Sequence, residues 1–147
     1  MSDQTITLSK DFGYVIAVAA ASGIVVWTQG FPVMPARKAA KVEYPHFCVY
    51  PIKTNEERLY MCAQRAHYNT LEGYPGFLAS LLGAGILYPK TAAGLGVGWL
   101  IGRVSYGIGY RTGEPSKRNN FGTLLAYLSL FSLVGMGVVG GIKKATS

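Results

Sequence analysis

The run FGYVIAVAAASGIVVWTQGFPVMPA, from Phe12 to Ala36, contains no charged residue, and its reading decides the class of the fold. As a helix it would extend about 37 Å at ~1.5 Å per residue, enough to cross a hydrocarbon core of about 30 Å with some tilt. Pro32 and Pro35 stand where they would end or kink it near the membrane surface. A second uncharged run, Phe121 to Ile142, is closed by Lys143 and Lys144. The residues ahead of Phe12 are mostly polar, and the first run exceeds the ~7–15 residues of a signal-peptide apolar region. It is expected to remain as a span and not to be cleaved.

Composition agrees with a membrane class. Half of the 147 residues are hydrophobic and 14% are charged, against about 25% charged in an average soluble domain. Nineteen glycines are also more in keeping with membrane helices than with a soluble core. The net charge of +7 does not form a stripe interleaved with aromatics, so a nucleic-acid partner is not expected. Cys48 and Cys62 give no disulfide framework. With His46 and His67 they make the spacings His46-x-Cys48 and Cys62-x4-His67, which match no zinc pattern, so no metal is expected.

Between the two runs lie shorter ones. Gly73 to Pro89 is apolar but at the short limit for a span, and it lengthens if the helix begins near Glu57 and carries Arg65, Asn69 and Glu72. Thr91 to Gly102 needs Arg103 through Tyr110 to complete a crossing. The sequence therefore predicts an all-α, integral membrane four-helix bundle. It forms one domain, 1–147, with spans at about 12–36, 59–89, 91–110 and 121–142.

Four spans put both termini on one side. The first loop carries Arg37, Lys38, Lys41, Lys53 and Arg58, and the third carries Arg111, Lys117 and Arg118. Only Lys10, Lys90, Lys143 and Lys144 stand on the other side. The positive-inside rule then places the first and third loops in the cytosol.

The middle spans carry polar stripes. Arg65, Asn69 and Glu72 stand at i, i+4 and i+7, with His67 and Tyr68 flanking, and Arg103, Tyr106 and Tyr110 at i, i+3 and i+7. Ionisable groups in a bilayer cost several kcal/mol and mark a site or an internal pair. One alternative is structural: Arg65 or Arg103 pairs with Glu72, and Asn69 bonds across helices to hold the bundle together. The other is a ligand site, favoured by six polar residues at helical spacing with Arg37, Lys38, Lys117 and Arg118 in the same-side loops. Such a site suits a small zwitterion with more than one carboxylate. Arginines would grip its acids, and Glu72 would receive its ammonium.

Three strings carry a resemblance: Ala36-Arg37-Lys38 with Lys41-Val42-Glu43-Tyr44-Pro45; Gln64-Arg65-Ala66-His67-Tyr68-Asn69-Thr70-Leu71-Glu72; and Gly107 through Arg118, which includes Gly113-Glu114-Pro115-Ser116-Lys117-Arg118. They resemble the membrane-associated eicosanoid and glutathione metabolism proteins, most closely the type-three microsomal glutathione transferases, from about Leu8 to Arg118. The resemblance implies a homotrimer with glutathione sites at subunit interfaces, opening to the cytosol. It implies Arg65 and Asn69 on the glutamyl carboxylate and Glu72 on the ammonium. Arg37 and His67 would reach the glycyl carboxylate from the neighbouring subunit, and Tyr106 and Tyr110 would line the tripeptide. A cation after the third helix would stabilise the thiolate. Alignment gives Lys117 that place, and Arg118 is next to it. Where leukotriene-forming relatives carry an aromatic directly after the signature glutamate, this chain has Gly73, with Tyr74 one later.

The activity so implied is conjugation of glutathione to lipophilic electrophiles, leukotriene-forming conjugation included, or reduction of lipid hydroperoxides. The second substrate would enter from membrane lipid beside the first and fourth helices. The alternative is a non-catalytic trimeric scaffold presenting a fatty acid to a partner enzyme. The resemblance implies the endoplasmic reticulum, with the outer mitochondrial membrane as a second location.

Overall fold

The computed structural model describes residues 8–146. Part of the polar segment weighed against a signal peptide, residues 1–7, lies outside them. Among the described residues all regular structure is helical: α1 (Phe12–Thr28), α2 (Val33–Ala39), α3 (Asn55–Leu87), α4 (Pro89–Tyr110), a 3-10 turn at Pro115–Arg118, and α5 (Phe121–Thr146).

The first apolar run is not one uninterrupted helix. α1 ends at Thr28, and the chain tightens through Gly30 N–H to Trp27 (3.0 Å) and Phe31 N–H to Thr28 (3.3 Å) before α2 resumes at Val33. Pro32, which has no N–H to give, stands at the start of α2, where none is required. The start of α3 is set by a capping box. Thr54 Oγ1 accepts from Glu57 N–H at 3.1 Å, and Glu57 Oε2 accepts from Thr54 N–H at 3.0 Å. The helix then continues for 33 residues, about 50 Å, and passes through Pro75. It is longer than a bilayer core is thick, so part of it projects beyond that core.

Two apolar helical stretches, Phe12–Ala39 and Phe121–Thr146, are long and apolar enough to cross a membrane, with mean hydropathies of 1.5 and 1.9. Ile16, Ile24, Trp27, Phe131 and Ile142 face outward from them. That is the disposition of lipid-facing helices, since a soluble monomer rarely shows so much contiguous apolar surface. α3 and α4 are not among these stretches.

The core lies where α1, α3, α4 and α5 meet. Phe77 and Trp99 stack with centroids 3.8 Å apart, flanked by Val15, Val18, Leu81 and Leu133. Small residues let the helices approach: a Cβ on Gly85 would meet Val15 at 2.8 Å, and one on Gly96 would meet Val18 at 2.7 Å. A Cβ on Gly102 would run into the Gly122 carbonyl and Ala126, so α4 and α5 touch nearly backbone to backbone.

Candidate functional site

A polar track runs along the seam of α3 and α4 and out to the 3-10 turn. On α3, the Arg65 guanidinium lies 3.5 Å from the Glu72 carboxylate, and both side chains are about half exposed, 51% and 55%. One turn away, Asn69 Oδ1 accepts from the Arg103 guanidinium at 2.8 Å, and Thr70 Oγ1 accepts from the same nitrogen at 3.0 Å. Arg103 is 6% exposed and sits over the rings of Tyr106 at 4.7 Å and Trp99 at 5.7 Å. Its Nε has no partner, and among the described residues no carboxylate bonds it. Tyr106 meets Tyr110 edge to face at 5.6 Å, and the Arg118 guanidinium lies over Tyr110 at 5.3 Å. The order along the track is thus Glu72, Asn69, Arg103, Tyr106, Tyr110, Arg118.

Two cavities border this track. One, about 280 Å³, is lined by Asn69, Glu72 and Arg103, with Tyr127 of α5 across from them. The other, about 570 Å³, is lined by Arg65 and Tyr110 and continues past Arg58, Met61 and Cys62 to the turn at Gly113–Ser116. The first mixes polar walls with Trp99, Ala126 and Leu130, and holds the Arg103 guanidinium with Glu72 as its nearest acidic influence. The second is mostly apolar with arginines at its border.

The last cationic residues of the expected site differ in their surroundings. Lys117 is exposed and pairs with Glu114 at 3.1 Å. Arg118 is half-buried, donates to the Pro115 carbonyl at 2.7 Å, and its own carbonyl accepts from Thr123 Oγ1. Arg111, just after α4, folds back so that Nε donates to the Gly107 carbonyl at 2.9 Å, and burial lowers its pKa.

Other expected site residues stand away from the track within the subunit. Arg37 is buried and occupied: it donates to the carbonyls of His46 (2.6 Å) and Val42 (3.3 Å) and to Tyr60 Oη (2.8 Å), with Tyr44 stacked at 4.4 Å. It clamps the segment between α2 and α3. Lys38, beside it, is exposed. His67 packs against Gly30 at the end of α1, its Nδ1 buried without a partner. Tyr74 turns into the bundle, where its hydroxyl is 3.1 Å from Ser22 Oγ and its ring stacks toward Phe77 and Trp99.

A family model described as the MAPEG family matches residues 15–139. The chain belongs to the MAPEG family. It is an integral membrane protein of a family that includes glutathione transferases and also non-catalytic members.

Within this MAPEG chain, sequence reasoning missed Thr70, Tyr127 and Arg58. Arg58 carried a readable signal, standing seven residues before Arg65 and so on the same face of α3. Tyr127 carried none, because its place opposite Arg103 depends on how α5 packs. Thr70 is the buried second acceptor for Arg103.

Proposed function

We propose that this chain is a glutathione transferase with peroxidase activity, of the type-three microsomal kind, working as a homotrimer in the endoplasmic reticulum membrane with its sites open to the cytosol. The observation that carries the reading is Arg103: a buried guanidinium that, among the described residues, bonds Asn69 and Thr70 but no carboxylate, with Glu72 acting on it only from a distance. A buried cation without a bonded counter-ion is costly, and an entering carboxylate would offset that cost. Glutathione offers two carboxylates and one ammonium. Arg65, Asn69 and Arg103 suit the glutamyl acid, Glu72 suits the ammonium, and Tyr106 and Tyr110 flank the backbone toward the turn.

In conjugation the thiolate sulfur forms a bond to an electrophilic carbon, and the leaving group departs with the bonding pair. In peroxidase turnover two glutathiones supply two electrons and two protons, giving an alcohol, water and the disulfide. Both need the thiolate. The surroundings favour Arg118 as the cation that stabilises it, since Lys117 is already paired with Glu114. Arg65 and Glu72 are half exposed on the subunit, which suits a site finished by a neighbouring copy. Arg37, Lys38 and His67 would then approach from that copy, and Arg37 would have to exchange its loop contacts to do so.

The test is purification in detergent, measurement of glutathione affinity, and turnover with an aryl halide, a lipid epoxide and a lipid hydroperoxide. Saturable glutathione binding with turnover of at least one acceptor is expected. A protein that binds a fatty acid but never ionises glutathione overturns the reading in favour of the scaffold.

A further inference from the structure

Arg118 hangs on a short turn that does little to hold itself. Pro115–Arg118 is one 3-10 turn of four residues, and such turns have poor hydrogen-bond geometry. Its ends are closed by Lys117 N–H to the Glu114 carbonyl (3.0 Å) and Asn119 N–H to the Ser116 carbonyl (3.0 Å). The Arg118 side chain is nevertheless half-buried, with its guanidinium over Tyr110 at the end of the polar track. Keeping it there takes contacts from outside the turn.

Asn120 supplies them with both polar atoms of its side chain. Oδ1 accepts from Ser105 Oγ on α4 (2.9 Å) and from the Thr123 N–H in the first turn of α5 (3.0 Å). Nδ2 donates to the Ser105 carbonyl (3.2 Å) and to the Lys117 carbonyl of the turn (3.3 Å). One amide thus ties α4, α5 and the turn together. The Arg118 carbonyl accepts from the Asn120 N–H (3.1 Å) and from Thr123 Oγ1. The surfaces that meet here have no room for side chains: a Cβ on Gly109 would run into the Lys117 carbonyl, and one on Gly122 into Ser105. Asn119, next in the chain, is exposed, and its side chain makes no hydrogen bond among the described residues.

Capping α5 uses Oδ1 alone, as Asn does ahead of many helices. The two bonds from Nδ2 are surplus to that role, and they reach α4 and the turn. We propose that Asn120 is a positioning residue for the thiolate, holding the turn so that Arg118 stays over Tyr110 and beside the sulfur of bound glutathione. This rests on the glutathione reading, with Arg118 as the cation. Stabilisation of charge depends on a cation fixed in place beforehand, and it is steep in distance. At an effective dielectric constant of ~20, a drift of the cation from ~4 to ~5 Å raises a thiol by about half a pH unit. Asn120 touches no substrate and acts through the turn.

The experiment uses the full chain in detergent and titrates the thiolate absorbance of bound glutathione. S-methylglutathione, which cannot ionise at sulfur, reports the affinity of the tripeptide site on the same samples. Asn120→Ser keeps a neutral oxygen that caps a helix as well as Asn does and removes the amide donors. Its thiolate titration should move up by about half a pH unit, up to about threefold less thiolate at neutral pH. Turnover of an aryl halide should fall in proportion at neutral pH and recover at higher pH, with S-methylglutathione affinity and melting temperature kept. Asn119→Ser should match the wild type. Arg118→Ala should shift further, and adding Asn120→Ser to it should shift no more, because nothing is left to place. An unshifted Asn120→Ser, a shift that adds in full to that of Arg118→Ala, or a rate loss that high pH does not recover overturns the proposal. So does an Arg118→Ala that titrates as wild type. Should Asn120→Ser not fold, Ser105→Ala removes one partner of the amide and should give a smaller shift in the same direction; no shift there counts against the proposal equally. A wild type that never ionises bound glutathione ends the functional reading and this one with it. A wild type that does, with a shift in Arg118→Ala and none in Asn120→Ser, ends the positioning role alone.

Discussion

Arg103 shows how much of a polar site a helical repeat can announce and where it stops. The i, i+3, i+7 spacing puts Arg103, Tyr106 and Tyr110 on one face, and in the structure the guanidinium lies over Tyr106 with Tyr110 next in line. The spacing on α3 likewise sets Arg65 beside Glu72. The partners across helices were not legible: Asn69 and Thr70 meet Arg103 only because α3 and α4 pack there, and Tyr74 turns inward because Ser22 of α1 faces it. Glu72→Gln keeps the shape of the ammonium partner and removes its charge. Glutathione affinity should fall tenfold or more, following the ~1.5–3 kcal/mol of a hydrogen bond to a charged group. The bundle-glue reading expects a lower melting temperature with near-normal affinity instead, and calorimetry on one preparation separates the two. A free thiol titrates near pKa ~8.5, and a nearby cation favours the charged form and lowers that value. Arg118→Ala should therefore shift the thiolate absorbance of bound glutathione to higher pH and cut turnover most at neutral pH, while binding changes little. Lys117→Ala should do neither. The reverse pattern would return the role to Lys117.

At the scale of the elements, the uncharged runs announce helices because backbone facing lipid must satisfy its own hydrogen bonds, and a helix does so within one segment. Their interruptions are harder to read. The tightening between α1 and α2 falls inside an apolar run, so neither charge nor periodicity marks it, and Pro32 is compatible with either a kink or a fresh start. The beginning of α3 was within reach, since Thr54-Asn55-Glu56-Glu57 has the spacing of a capping box. The glycines sort into two kinds only with coordinates in hand. Gly102 lies where α4 meets the Gly122 carbonyl and Ala126, whereas a Cβ added to Gly73 or Gly94 would meet nothing within 4 Å. Gly102→Val should destabilise the bundle by about 1–3 kcal/mol through overpacking, read as a lower melting temperature in detergent. Gly94→Ala should leave the melting temperature unchanged or raise it. Equal behaviour of the two variants would mean that α4 and α5 do not pack this closely.

For the whole molecule, the distribution of charge predicts an orientation that the polar track makes consequential. Arg58, Lys117 and Arg118 lie at the same end of the chain as the mouth of the larger cavity, so whichever compartment faces them supplies the soluble substrate. Loop cations gather on the cytosolic side of membrane proteins, and the eight of the first and third loops outnumber the four opposite. The chain carries its own reporter: Cys48 is exposed in the segment before α3, and Cys62 is buried. In sealed vesicles with the cytosolic face outward, an impermeant maleimide should label Cys48 without permeabilisation. With Cys48→Ser as background, Thr146→Cys should be labelled only after the membrane is opened. Three crossings, α3, α4 and α5, separate these positions in a four-span chain, so they must fall on opposite sides. Labelling of both from one side would make the number of crossings between them even and overturn the four-span arrangement. Labelling in the reversed order would keep the spans and turn the mouth of the track toward the lumen, away from cytosolic glutathione.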